Sequence, residues 1–436
     1  MHNANNFFNK ALLIHIDNPI VDADNSHNEF TELALSANVK IQEVVSLSKK
    51  KYISTNLFIG KGDANFIERK LKNTNIKLVI FNIDLSPTQE RNLENLFSAR
   101  VLDRTGLILD IFSQRAMSHE GKLQVELAQL NYLATRLVRG WSHLERQKGG
   151  IGLRGPGETQ LETDRRLLRA RIINIEKRLK KVSNQRELSR NLRQKRNIPR
   201  ISIVGYTNAG KSTLFNCLTG ANTLSADKLF ATLDPIHRKI ILNNKKNAVI
   251  SDTVGFIRNL PHHLIESFKS TLLEVTNSNL LIHVVDLSDN SYPDYIKEVD
   301  SVLKSIGADK IPKILVFNKV DQNYNPENFS HLQQHSFCYI SAKTGYGTEF
   351  LKNIISKRLF ENYESVQITL PKIESKIRSH IYEKCIEINE TFTKSGQWKI
   401  KFMANRPFIK YLDKSGIINK KVEKKPRNSQ EIYKTG

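Results

Sequence analysis

The chain has 436 residues, with 67 lysines and arginines against 44 aspartates and glutamates, so its formal net charge is +23. This length predicts two to four domains, no segment approaches the roughly 20 apolar residues of a membrane helix, and the polar start does not match a secretory signal. The three cysteines are odd in number and far apart, which argues against a disulfide framework or a zinc site and fits a cytoplasmic protein.

The first 112 residues predict a small α/β subdomain, because short apolar runs alternate with stretches of helical spacing. The predicted elements are strands at 11–16, 39–45 and 78–81 and helices at 29–37 and 63–71. A further helix is predicted to begin at Pro87, since Ser86 can cap it and Gln89 completes a capping box.

Residues 113–198 predict two long helices folded back on each other as an antiparallel hairpin. Apolar residues recur every three or four positions on both sides of a Gly-rich segment at 148–157, whose composition disfavours a helix. These residues are Leu123, Leu127, Leu130, Ala134, Leu137, Trp141 and Leu144, and then Leu161, Leu168, Ile172, Ile175, Leu179 and Val182. Thr159 and Glu162 predict a second capping box, and a second helix of about 35 residues would be roughly 50 Å long.

The positive charge is concentrated in two segments. Residues 136–200 hold 19 lysines and arginines against 6 acidic residues, and residues 401–436 hold 10 against 3. Concentrated charge favours a polyanionic partner such as nucleic acid, because binding releases counterions. A solvated linker helix is the alternative for the run at 186–200.

Residues 199–365 predict a nucleotide-binding domain with a mostly parallel sheet. Near-continuous apolar runs at 201–204, 248–250, 280–285 and 314–317 are typical of strands covered by helices on both faces. Residues 366–436 predict a small, poorly patterned region with a strand at 398–403 and a basic tail.

The strongest motif begins at Gly205 and reads Gly-Tyr-Thr-Asn-Ala-Gly-Lys-Ser. It follows a predicted strand and precedes a predicted helix, which is the context that a phosphate-binding P-loop requires. Lys211 is predicted to bridge the β- and γ-phosphates, and Ser212 to bind Mg²⁺. Asn208 stands where some cation-dependent GTPases hold K⁺. The candidate nucleotide-binding residues here are Gly205, Asn208, Ala209, Gly210, Lys211, Ser212 and Thr213.

Two further segments predict the γ-phosphate and metal contacts. Asp252-Thr253-Val254-Gly255 follows a strand, so Asp252 can hold Mg²⁺ through water and the Gly255 amide can sense the γ-phosphate. In the loop at 230–235, which begins with Phe230, Thr232 is the candidate second Mg²⁺ ligand, with Thr223 as the alternative. Lys211, Thr232 and Gly255 are therefore the predicted catalytic residues.

The segment Asn318-Lys319-Val320-Asp321 predicts selection of guanine. A carboxylate at Asp321 can accept both the N1–H and N2–H groups of guanine, and adenine lacks that donor pair. Asn318 is predicted to tie this loop to the P-loop, and Lys319 to lie over the base. Ser341, Ala342 and Lys343 are predicted to complete the pocket through their backbone.

Together these motifs resemble the HflX family of ribosome-associated GTPases. The most specific matches are Gly149-Gly150-Ile151-Gly152-Leu153-Arg154-Gly155-Pro156-Gly157-Glu158-Thr159-Gln160-Leu161-Glu162-Thr163-Asp164-Arg165-Arg166, residues 119–130 and residues 85–94. The resemblance implies an α/β subdomain, a helical hairpin, a Ras-like G domain and a small C-terminal domain. It also implies a cytoplasmic GTPase that binds the large ribosomal subunit and its rRNA, and splits or rescues stalled ribosomes under stress.

The same resemblance places the hairpin tip at 149–157 near the peptidyl-transferase centre. The flanking basic residues that would pair with rRNA phosphates are Arg146, Lys148, Arg154, Arg165 and Arg166. The sequence departs from relatives where the turn after the third strand of the N-terminal subdomain ends in Asp63 instead of a lysine. Phe256 stands where many Ras-like GTPases have a water-orienting glutamine, which predicts slow intrinsic hydrolysis.

Two alternatives to the splitting function remain open from the sequence. One is a GTPase that assists assembly of the large subunit, and the other is an rRNA-binding module whose nucleotide site only stabilises the fold. A monomer is expected, and peripheral association with a membrane is left open.

Overall fold

The computed structural model describes residues 10–17, 23–48, 54–140, 156–194, 198–221, 228–242, 246–258, 269–322, 337–371, 373–393 and 395–417. These residues form three sheets and a helical hairpin. The predicted α/β fold, with a Ras-like domain after an α/β subdomain and a hairpin, is confirmed.

The N-terminal subdomain has a parallel sheet in the order β2-β1-β3-β4. Its strands are β1 (Lys10–Asp17), β2 (Lys40–Ser48), β3 (Leu78–Phe81) and β4 (Arg100–Leu102). Its helices are α1 (Ala23–Ser36), α2 (Lys61–Thr74), α3 (Pro87–Phe97) and α4 (Arg104–Arg115). The predicted strands and helices are all present.

Two local predictions for this subdomain have different outcomes. The capping box at α3 is confirmed, because Ser86 accepts from the Gln89 amide at 3.3 Å and its own amide donates to Gln89 Oε1 at 2.9 Å. Among the residues that the structure describes, no third strand precedes the turn Gly60-Lys61-Gly62-Asp63. Ser54 and Phe58 form only an isolated bridge, so this turn begins α2 between β2 and β3.

The hairpin consists of α5 (His119–Gly140) and the 39-residue α6 (Pro156–Gln194). Leu123 and Leu127 pack on Ile175, as the apolar spacing predicts. Arg171 donates to Glu126 at 2.9 Å, and these two residues lie almost equally far from the connection, so the helices are antiparallel. Residues 141–155, which include most of the Gly-rich tip with Trp141 and Leu144, lie outside the described residues. The prediction that Thr159 caps the second helix is wrong, because α6 begins at Pro156, three residues earlier.

The G domain has a six-stranded sheet in the order β10-β9-β8-β5-β7-β6. Its strands are β5 (Arg200–Gly205), β6 (Ile236–Leu242), β7 (Lys246–Asp252), β8 (Leu280–Asp286), β9 (Lys313–Asn318) and β10 (Phe337–Tyr339). Its helices are α7 (Lys211–Thr219), α8 (Lys269–Thr276), α9 (Tyr292–Ser305) and α10 (Thr348–Phe360). The four predicted strands are parallel, and the edge strand β6 pairs antiparallel with β7.

The C-terminal region has a core of its own, contrary to its weak sequence pattern. An antiparallel sheet in the order β11-β13-β12 buries Ile368, Ile400 and Phe402. Its elements are β11 (Tyr363–Leu370), α11 (Ser375–Lys384), β12 (Ile386–Phe392), β13 (Trp398–Asn405) and α12 (Arg406–Lys414). The strand predicted at 398–403 is present.

Two predicted domain boundaries fall inside secondary-structure elements. The one at 112/113 lies in α4, and the one at 365/366 lies in β11. Both elements continue across the predicted boundary. A helix or strand ends where its packing partner ends, whereas the prediction followed changes in composition. No helix in the described part of the chain is long and apolar enough to cross a membrane.

The N-terminal subdomain packs directly on the G domain. One apolar core holds residues of α4 and residues of the loop before β6 together. Phe112 and Phe230 meet edge to face with ring centroids 4.7 Å apart, and the Tyr206 hydroxyl donates to the Glu29 carboxylate of α1. The loop at 228–234 is therefore held between the two sheets, beside the carboxyl ends of β5 and β7.

Candidate active site

A cavity of about 530 Å³ opens at the carboxyl ends of the parallel strands, where ligands bind in open α/β sheets. The predicted residues that line it are Asn208, Gly210, Lys211, Ser212, Thr213, Phe230, Thr232, Gly255, Asn318, Lys319, Asp321, Ala342 and Lys343. Lys211 and Asp321 thus share one cavity. Ala209, Asp252 and Ser341 lie behind this surface and contact Asn318, Ser212 and Asp321, which form it. Gly205 ends β5 beside Val284 and does not line the cavity.

Lys211 is a buried cation at the start of α7. Its Nζ donates to the carbonyl of Tyr206 at 2.6 Å. Burial lowers the pKa of Lys211 to about 8, against the opposing charge of Asp252. A side chain on Gly255 would meet this ammonium, since a Cβ there would lie 2.8 Å from Nζ. Loss of solvation makes the ammonium a strong partner for an anion that enters the cavity.

The lowered pKa predicts that nucleotide binding takes up a proton above pH 8. At pH 8.5 most Lys211 side chains are neutral in the free protein, and bound phosphates raise the pKa so that the ammonium reforms. At pH 8.5, calorimetric titration with Mg²⁺-GDP in buffers of different ionisation enthalpy should show uptake of more than half a proton for each nucleotide bound. Uptake should be close to zero at pH 7, and equal values at the two pH values would contradict the assignment.

Three oxygen-bearing side chains meet beside Lys211. Asp252 Oδ2 accepts from the Ser212 hydroxyl at 2.6 Å and from the Thr232 hydroxyl at 2.8 Å, and the two hydroxyls lie 2.9 Å apart. The buried Asp252 Oδ1 has no hydrogen-bond partner among the described residues. Burial raises the pKa of Asp252, and Ser212 opposes that shift. Hard oxygen donors around an unpartnered buried carboxylate oxygen fit Mg²⁺ and its water ligands. Thr223, the alternative to Thr232, lies outside the described residues.

The opposite end of the cavity is held together by Asn318. Its Nδ2 donates to the Ala209 carbonyl and its Oδ1 accepts from the Ala342 amide, both at 2.9 Å. The predicted tie between this loop and the P-loop is therefore present. The exposed Asp321 has its pKa lowered, chiefly by a hydrogen bond from Ser341. A carboxylate that stays ionised can accept two N–H groups from one base edge.

Phe256 places no polar group at the phosphate end of the cavity. Its backbone is fixed by hydrogen bonds from the Thr207 amide to its carbonyl at 2.7 Å and from its own amide to the Gly205 carbonyl at 3.1 Å. Its side chain is buried in an apolar cluster with Leu272 and Val299. A water near the γ-phosphate position would therefore gain no hydrogen bond from this side chain.

The sequence motifs missed three residues on the cavity wall, Glu32, Lys228 and Gln322. Glu32 comes from α1 of the N-terminal subdomain. Lys228 Nζ donates to Asn38 Oδ1 at 3.0 Å. The amide of the next residue, Leu229, donates to Ser36 Oγ at 2.9 Å. These contacts join segments about 190 residues apart in sequence, so no local pattern indicates them.

Comparison with known proteins identifies the family. Residues 24–113, 115–193 and 200–319 match the models described as "GTP-binding GTPase N-terminal", "GTP-binding GTPase Middle Region" and "50S ribosome-binding GTPase". The GTPase HflX of Escherichia coli (strain K12) is 49% identical over 385 residues, which cover 86% of this chain and 88% of that protein. This chain belongs to the HflX family. The HflX of Caldanaerobacter subterraneus is 44% identical over 387 residues, 89% of each chain.

The HflX assignment makes the chain a GTPase, with a G domain of the ribosome-binding kind and a site for guanine nucleotide. Among solved structures, the SsGBP complex with GDP is similar, with 25% identity, a TM-score of 0.48 and coverage of 81% of this chain and 99% of that chain. A GTP-binding protein from Sulfolobus solfataricus with GDP has 25% identity and a TM-score of 0.45.

Proposed function

We propose that this HflX protein binds the large ribosomal subunit and uses its GTP cycle to split or rescue stalled ribosomes. The observation that carries the proposal is the position of Thr232. It contacts Ser212 and Asp252 at the site, while its loop packs on the N-terminal subdomain and the hairpin. A change at the phosphates would therefore reach the parts of the chain that are expected to touch the ribosome.

In this proposal each residue of the cavity has one role in holding GTP. Lys211 binds the β- and γ-phosphates, Ser212 and Thr232 hold Mg²⁺ directly, and Asp252 holds it through water. Bound Mg²⁺ would supply positive charge at the phosphates while the γ-phosphoryl group is transferred to water. Gly255 donates its amide to the γ-phosphate. Asp321 accepts the guanine edge, with Lys319 over the base and the backbone of 341–343 beside it.

The basic hairpin supports rRNA as the partner. Along α6 the exposed side chains include many cations and few apolar groups. The exposed basic residues are Arg166, Arg169, Arg171, Lys177, Arg178, Lys180 and Lys181. Charge on one long helix suits the phosphate backbone of RNA. We also propose that the chain acts as a cytoplasmic monomer with the four-part division given by its sequence, and that the tip at 149–157 enters the subunit.

Sedimentation of intact ribosomes tests this function. Purified chain with GTP or a non-hydrolysable analogue is expected to convert ribosomes into subunits, and GDP is expected to leave them intact. Lys211→Ala should abolish the conversion, and Lys310→Ala, an exposed lysine, should not. Chain that accumulates only on immature large particles would favour subunit assembly. Splitting that survives Lys211→Ala would favour an RNA-binding module with a structural nucleotide site.

Slow intrinsic hydrolysis is the second expectation from the geometry. Because Phe256 is buried and cannot orient water, the isolated chain should turn over GTP slowly and large subunits should accelerate it. We expect stimulation of about a thousandfold, the lower end of what catalytic groups supplied by partners contribute. Steady-state phosphate release with and without purified large subunits measures it, with small subunits as the control. Fast turnover by the isolated chain would contradict the prediction.

Dependence on K⁺ is a further proposal, carried by Asn208. This residue lines the cavity and lies in the P-loop, where its backbone is left-handed with φ of 62°. Single-turnover hydrolysis is expected to be several-fold faster in K⁺ than in Na⁺ at equal ionic strength. Asn208→Ala should remove the difference. Equal wild-type rates in the two salts would exclude the K⁺ site.

A further inference from the structure

The carboxylate of Asp234 holds the beginning of the hairpin. Its Oδ2 accepts hydrogen bonds from the Met117 amide at 2.9 Å and the Ser118 amide at 2.7 Å, and its Oδ1 accepts one from the Ser118 hydroxyl. These donors lie immediately before α5. A negative charge there is stabilised by the unpaired amides and the dipole of the 22-residue helix.

Ser118 in turn caps α5, and Gly121 leaves room for the carboxylate. The Ser118 hydroxyl accepts from the Gly121 amide at 2.9 Å. A Cβ on Gly121 would lie only 2.3 Å from Asp234 Oδ1. The first turn of the hairpin is therefore shaped to receive a side chain from the G domain.

The other end of the same short segment is fixed at the nucleotide site. Thr232 donates to Asp252, and Leu233, between Thr232 and Asp234, is buried in the core that also contains Phe112. Two residues of extended chain span at most about 7 Å. A displacement of Thr232 from the site must therefore be taken up at Asp234.

We propose that Asp234 is a positioning residue, which keeps Thr232 at the metal site and joins the nucleotide state to the first turn of the hairpin. The inference rests on the proposed function and names the contact through which the nucleotide state reaches the hairpin. With a triphosphate bound, Thr232 stays beside Ser212 and Asp234 stays on α5. After hydrolysis both leave, and the cap residue Ser118 loses the carboxylate that holds it. Because the coupling is reciprocal, loss of the Asp234 carboxylate lowers the affinity for the triphosphate relative to the affinity for GDP.

Hydrogen exchange of the amides at 117–121 tests the link in the full chain with Mg²⁺. In the wild type these amides are expected to exchange about fivefold faster with GDP than with a non-hydrolysable GTP analogue, the typical effect of one capping group. In Asp234→Asn the same amides should exchange fast with either nucleotide bound. The ratio of its affinity for the analogue to its affinity for GDP should fall about fivefold. Asp309→Asn, an exposed carboxylate after α9, should behave as the wild type.

The outcomes separate this inference from the function on which it rests. Wild-type chain that binds the analogue but protects these amides equally with both nucleotides would overturn the link alone. So would an Asp234→Asn variant that keeps the nucleotide-dependent difference. If that variant does not fold, Ser118→Ala removes one of the three bonds, and an unchanged difference there overturns the link. Failure of the wild type to bind guanine nucleotide would overturn both proposals.

Discussion

Asp321→Asn is expected to lower the affinity for GTP by about a thousandfold and to create affinity for XTP. Guanine presents two N–H donors to the carboxylate, whereas asparagine offers one acceptor and one donor. Xanthine has a carbonyl in place of the guanine amino group, so it pairs with both atoms of the amide. A site built for hydrogen bonds discriminates by factors of about 10⁴ against a ligand that leaves them unpaired.

Titration with fluorescent GTP and XTP measures this exchange of specificity. Asp413→Asn is the matched control, since this carboxylate is exposed and lies in the C-terminal region. The control should bind GTP as tightly as the wild type and should not bind XTP. An Asp321→Asn variant that keeps wild-type affinity for GTP would show that the base lies elsewhere.

Lys211→Ala is expected to lower the affinity for GDP and GTP at least about a hundredfold, without lowering the stability of the nucleotide-free chain. The loss follows from the charge-assisted hydrogen bonds to phosphate, worth about 1.5–3 kcal/mol each. The stability follows from the pKa of about 8. A lysine with a folded pKa below its unfolded value destabilises the fold wherever both forms are protonated, which includes pH 7. Alanine removes that cost.

Thermal unfolding and nucleotide titration of the same sample separate the two effects. In the wild type without nucleotide, stability should rise with pH between about 8 and 10.5 relative to Lys211→Ala. Lys310→Ala controls for the loss of a surface charge. A Lys211→Ala variant with reduced affinity and a much lower melting temperature would mean that the lysine mainly supports the fold.

Local patterns predicted correctly that the residues assigned to the phosphates and to the base lie around one cavity. The P-loop at Lys211, the turn at Gly255 and the loop at Asp321 all follow buried parallel strands, and such strands deliver their carboxyl ends to one edge of a sheet. Short motifs that follow strands of one parallel sheet are therefore enough to predict a shared cavity.

The sequence patterns could not predict contacts between segments that are far apart in the chain. Glu32 belongs to a helix of a different subdomain, and Asp234 meets Ser118 across more than a hundred residues. No period or motif connects such pairs, because their approach depends on how two folded units pack. The C-terminal sheet was missed, apart from the strand at 398–403, because its strands alternate buried and exposed residues and so contain no long apolar run.

Competition between GDP and ADP for the wild-type chain tests most directly whether guanine lies at Asp321 with its phosphates at Lys211. With Mg²⁺ and a fluorescent GDP already bound, unlabelled GDP should displace the label at stoichiometric concentration. ADP should need at least about a thousandfold more, because it cannot donate two hydrogen bonds to the carboxylate. Displacement by GDP and ADP at similar concentrations would contradict this assignment.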